Sequence, residues 1–232
     1  TMPSQEHLEQ MVEAIADFHA YWWEHAQLGK GFAGIRTQLE GAGAYKQYTE
    51  RRKQEWLLFA EQAGHLITAE ERELYEKVLS HFADLWDLYL ADRFGTMRAV
   101  TLSEGACYFI QFLCPTAPGQ DTVYLLDFDS VSANLPAYDL VYMFATFWTP
   151  EQRKEMGREE NLLRRYHNNL LAHGIEGYSW HDLMTDYRLC VLYTIFDRVW
   201  DQTSGASQAY WLPKLRCLAG AFRDLDCLSL LP

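Results

Sequence analysis

TLSEGACYFIQFL, residues 101–113, and LLDFD, residues 125–129, decide how this chain is read. They lie among short runs at 99–102, 108–114 and 122–127, rich in β-branched and aromatic residues and broken by Pro115, Pro118 and Gly119. That composition predicts brief strands joined by turns rather than helix. The first stretch carries Glu104-Gly105-Ala106, with Gln111 five positions after Ala106. The second carries the acid–aromatic–acid triplet Asp127-Phe128-Asp129.

On both sides of this island the pattern is helical. Before it, Ser4 caps a helix whose Leu8, Met11, Val12, Ile15, Phe18, His19, Trp22 and Trp23 recur at helical spacing up to about Leu28. A glycine-rich loop fills 29–43. Its GKGFAG at 29–34 lacks the lysine-then-hydroxyl ending and the preceding strand of a phosphate-binding loop. A helix is predicted over 46–63. A capping box of Thr68 and Glu71 opens another that runs to about Asp92. After the island, helices are predicted at 137–147, after Thr149-Pro150, after Ser179, and over 208–228. The expectation is one mainly α domain with a small β island (α+β) over 1–232: a helical hairpin region at 1–98, the island at 99–135 and a helical bundle at 136–232.

Bulk composition narrows the function. An apolar fraction of 49% and a charged fraction of 22% describe a globular chain, not a disordered one. Eight Trp and 14 Tyr predict a core of large flat rings whose polar tips need partners. A net charge of −12 disfavours nucleic acid and anionic membranes, and favours neutral or cationic small molecules or metal ions. The five cysteines are odd in number and show no CxxC spacing, so they read as reduced thiols of a cytoplasmic protein. No apolar run approaches the roughly 18 residues of a membrane span. His167, His173 and His181 do not form a zinc-protease motif, and no GxSxG elbow is present.

In this order, four segments resemble the C-terminal lobe of the aminoglycoside phosphotransferase and choline kinase superfamily, nearest its ecdysteroid-kinase-like branch. Residues 16–23, ADFHAYWW, resemble the family's "LA-x-LHA-x-W" helix. Residues 101–113 lie where the family has its "HGD-x-x-x-x-N" catalytic loop. Asp127-Phe128-Asp129 resembles the metal-binding "DFG" position, and Asp139-Leu140 the structural "DLA". The tail adds Tyr166-His167, Gly177-Tyr178-Ser179-Trp180, Asp186-Tyr187-Arg188 and Asp224-Leu225-Asp226.

The departures matter as much as the matches. By the resemblance, Ala106 stands where the family has its catalytic aspartate, Gln111 where it has a metal-binding asparagine, and Glu104 where it has the histidine. A methyl group neither orients nor deprotonates a hydroxyl, and losing a general base typically costs about 10²- to 10⁴-fold. Little chain precedes Phe18, so the resemblance implies a lobe without its ATP-binding partner, truncated and kinase-dead, using no ATP.

The resemblance also implies that Glu104, Asp127, Asp129 and Gln111 converge on one rim, with Asp139 bracing the loop from behind through backbone amides. That oxygen-only set suits Mg²⁺, Ca²⁺ or Mn²⁺. A cation there would support hydrolysis of phosphoesters or carboxyl esters; otherwise the rim is a solvated relic. Cys107 is the candidate nucleophile or, alternatively, a small core residue. Trp22, Trp23 and Tyr187, with Asp197 or Asp201, are expected to line a substrate cleft. Three readings stand open: a pseudoenzyme that binds a small molecule, a repurposed metal-assisted hydrolase, and half of a split phosphotransferase. A homodimer through the face a missing lobe would expose is expected.

Overall fold

A computed structural model describes residues 3–116 and 122–232; Pro118 and Gly119, read above as breakers, lie outside them. The chain is mainly α with a small β island. It divides into two compact units, the first comprising Thr1–Ile35, Ala99–Phe144 and Glu151–Tyr187, and the second Arg36–Arg98, Ala145–Pro150 and Arg188–Pro232.

In the first unit, α1 (Gln5–Tyr21) starts where expected, with the Ser4 hydroxyl accepting the His7 N–H. Its buried stripe is Leu8, Met11, Val12, Ile15, Ala16 and His19. The helix ends at Trp22 rather than near Leu28. Glu24 takes a left-handed φ of 50°, its N–H donates to Val100 O at 2.9 Å, and its carboxylate accepts the Ala99 N–H at 2.7 Å. These two bonds pin the chain to the island and override the helical period. The β island consists of two antiparallel pairs. Strand β1 (Thr101–Ser103) pairs with β4 (Ser132–Asn134) in the register Thr101↔Asn134 and Ser103↔Ser132; β2 (Phe112–Leu113) pairs with β3 (Tyr124–Leu125).

Helices follow the island in the chain. α5 (Ala137–Met143) is buried along its whole length. The helix predicted after Pro150 is two: α6 (Pro150–Lys154) and α7 (Arg158–Ala172) are separated by Met156 and Gly157 in left-handed conformations. Arg165 of α7 reaches Glu9 and Glu13 of α1, at 3.1 and 2.6 Å, which sets the two helices against each other.

The second unit is built on aromatic rings. It contains α2 (Ala42–Ala63), α3 (Ala69–His81), α4 (Ala91–Thr96), the later part of α8 (Trp180–Thr203) and α9 (Gln208–Asp224). The Thr68–Glu71 capping box forms in full. A wide turn at Trp86–Leu90 interrupts the helix expected to reach Asp92. Trp56 stacks on Tyr75 at 4.7 Å and Phe82 packs edge-on to Phe196 at 5.1 Å. The tyrosine tips find partners as burial demands: Tyr45 donates to Phe82 O and Tyr75 to Ile195 O, both at 2.9 Å.

Candidate functional site

The stretch 103–111 crosses the first unit as a loop braced from beneath by Asp139, in the first turn of α5. Its Oδ1 accepts the Ser103 hydroxyl at 2.6 Å and the Gly105 N–H at 2.9 Å, and its Oδ2 accepts the Glu104 N–H at 2.8 Å. Behind Asp139 stands His19, with Nε2 3.1 Å from Oδ2 and Nδ1 2.7 Å from the Tyr166 hydroxyl. Thr101 ties its hydroxyl to the His19 carbonyl. Burial alone would disfavour the Asp139 charge; the His19 ring, the Ser103 hydroxyl and the Gly105 amide outweigh it and hold the carboxyl below its usual range.

Ser103, Asp139 and His19 are all wholly buried, and the hydroxyl bonds to the acid rather than to the imidazole. The trio is a structural brace and cannot deliver a nucleophile to a substrate. The roles of Thr101 and Ser103 were missed in the sequence, where their alternation on one face of a strand was the available signal.

Gly105 makes the brace possible. It adopts φ +96°, and a Cβ there would come 2.3 Å from Ser130 O. The loop thus presses against the segment that follows Asp127, and only glycine fits.

Glu104 does not reach a rim. It is fully buried, and Oε2 folds back to accept the Ala106 N–H at 2.9 Å. Oε1 has no hydrogen-bond partner among the described residues. Burial, then the nearby Asp139 and Asp127 charges, push its pKa up to about 8 against the pull of the Ala106 amide. Cys107 is buried completely as well. Burial first, then Asp139 and Glu104, push its thiol well above the ordinary range. Of the two readings of Cys107, its place in the structure is that of a core residue.

Of the residues expected to hold a metal, the structure places Glu104 and Gln111 inside and Asp127 and Asp129 at the surface. No group of three or more His, Cys, Asp or Glu side chains able to hold a metal ion occurs among the described residues. Asp127 and Asp129 are exposed at the start of the Phe128–Ser130 turn, whereas Glu104 is sealed inside. Gln111, also buried, gives its amide oxygen to the Tyr108 N–H at 2.6 Å and turns its amide N–H toward Asp127 Oδ2 at 3.3 Å.

The expected cleft residues fare unequally. Trp22 and Trp23 are half-buried. Trp22 packs edge-on to Phe32 and His25, and Trp23 against Tyr178. Tyr187 is wholly buried with its hydroxyl on Glu159 at 2.8 Å, so it forms no wall of an open cleft. Asp197 and Asp201 belong to the second unit, where Arg52 pairs with Asp197 and Arg198 with Asp201, each at 3.2 Å.

No helix among the described residues is long and apolar enough to cross a membrane. A family model described as the ecdysteroid kinase-like family matches residues 1–175, which takes in the braced loop, the Asp127 turn and Asp139. No curated protein matches the chain.

Proposed function

The chain belongs to the ecdysteroid kinase-like family, and from that membership we propose that it is a pseudoenzyme of the family, binding a small molecule without transferring phosphate from ATP. One observation carries the reading. The loop that Asp139 braces presents the methyl group of Ala106 at the position where the family resemblance implies a catalytic aspartate. Its neighbours offer no replacement: Glu104 and Cys107 are fully buried, and Ser103 is committed to Asp139. A general base must come within hydrogen-bond reach of the hydroxyl it activates, and none of these side chains reaches one.

Metal-assisted ester hydrolysis, the other chemistry considered for this loop, requires a cation held by a gathered ligand set. The burial of Glu104 and the Gln111 amide N–H that faces Asp127 weigh against such a set. A homodimer belongs to the same reading; the exposed Ile110, Leu113 and Tyr124 support it.

The test pairs two measurements on the intact chain. Thermal-shift binding is run against a panel of small molecules, starting with ecdysteroids, the class for which the family is named. ATP-dependent phosphate transfer is followed on the same panel. Saturable binding with transfer at background is expected. Transfer that requires both ATP and the protein, and scales with protein concentration, would overturn the proposal.

A further inference from the structure

The family resemblance implies a divalent cation between Asp127 and the residue at position 111, and the side chains present do not fit one. We propose that Gln111 substitutes internally for that cation, so that the Asp127 position is set without metal.

Chemistry fixes the orientation of the Gln111 amide. The Tyr108 N–H needs an acceptor, so the atom facing it at 2.6 Å is the amide oxygen. The amide nitrogen is then the atom that faces Asp127 Oδ2, at 3.3 Å. A cation arriving at Asp127 meets the positive end of an N–H dipole where it needs an oxygen. Turning the amide round would set N–H against N–H at Tyr108, inside a residue only 7% exposed.

The main chain reinforces the arrangement: Gln111 O accepts the Leu126 N–H at 2.9 Å. One residue thus ties positions 108, 126 and 127 together. Asp127 is a non-glycine residue at φ 64°, a conformation that needs such anchoring. Asparagine is one methylene shorter, and here it is the longer glutamine that meets both Tyr108 N–H and Asp127. The longer side chain makes the closure possible and removes the oxygen that a metal would use.

The functional proposal is tested by phosphate transfer; this inference is tested by metal binding, so the two fail separately. Mn²⁺ binding to the intact chain is measured by electron paramagnetic resonance of the free ion. The set is wild type, Gln111→Glu, Gln111→Asn, Asp127→Asn and the double variant Gln111→Glu/Asp127→Asn. In wild type, any Mn²⁺ binding should be unchanged by Asp127→Asn. Gln111→Glu replaces the N–H with a second oxygen and should bind Mn²⁺ about tenfold more tightly or better, a gain that the double variant loses. Wild-type binding that Asp127→Asn abolishes overturns the proposal. So does a folded Gln111→Glu with no gain, because the amide would then not be what closes the position. Should Gln111→Glu not fold, thermal unfolding of wild type and Gln111→Asn with Mg²⁺ against a chelator decides. A wild-type midpoint indifferent to Mg²⁺ upholds the inference, and one raised by Mg²⁺ only while Asp127 is intact sinks it.

Discussion

The Asp139 carboxylate holds the Gly105 amide at 2.9 Å, from the first turn of a fully buried helix to the centre of the loop that faces it. The bond fixes Gly105 at φ +96°, against Ser130 O. Through that one contact α5, the braced loop and the Asp127 turn take their positions together. The brace draws on two backbone amides, the Ser103 hydroxyl and a glycine at 105, and it is complete with alanine at 106.

Asp139→Asn should destabilise the fold by about 3 kcal/mol or more. The substituted amide turns an N–H toward the Gly105 N–H, the Glu104 N–H or the His19 ring, and each is buried. Urea unfolding of the variant beside wild type reads the loss. A difference under about 1 kcal/mol would mean that the brace is not what organises the loop.

Stability should fall as pH rises through the neutral range, and Glu104 is the cause. The folded chain keeps the Glu104 proton up to about pH 8, whereas the unfolded chain releases it near the ordinary value of 4.5. Between those values the folded state binds more protons, so raising pH favours unfolding, and the effect levels off above about 8. Asp139 acts oppositely at the acid end: its depressed pKa contributes stability that is lost as pH falls below the ordinary aspartate value of 3.8 and through its folded value. Unfolding midpoints from mildly acidic to mildly alkaline pH should slope downward in wild type and flatten in Glu104→Gln. An equal slope in the two proteins would assign the effect elsewhere.

What the sequence disclosed, it disclosed through local signals. Ser4 and the Thr68–Glu71 box mark helix starts by side-chain to backbone bonds spanning three residues, so both are readable in a short window. The bracing role of Asp139 was readable through its place in the family pattern. Other features rest on partners far along the chain. The end of α1 is set by bonds from Glu24 to residues 99 and 100. Strand β4 is three residues of small or polar type that become a strand by pairing with β1 and bridging to Ile35. At the site, residue type alone gave Gln111 an oxygen to offer. Which end of the amide faces Asp127 follows from a turn that brings the Tyr108 N–H to it. Likewise Glu104 and Cys107 stand in a reactive-looking sequence, and the fold buries both completely.

Self-association is expected through the β2–β3 hairpin. Leu113 and Tyr124 are direct cross-strand partners, 55% and 62% exposed, and Ile110 on the preceding turn is 87% exposed. Apolar side chains of this size seldom stay in water when they stand together on one surface. A two-residue pairing is also marginal without a face to pack on. A second copy of the chain supplies the same apolar chemistry by two-fold symmetry, so each hairpin covers its counterpart. Light scattering should then give twice the 27.0 kDa chain mass. Leu113→Asp, which puts a charge opposite Tyr124 without touching Asp139 or Gln111, should weaken the association by about tenfold or more. A wild-type chain that scatters as a monomer at every concentration would show that the hairpin stays solvated. A dimer indifferent to Leu113→Asp would place the interface on another face.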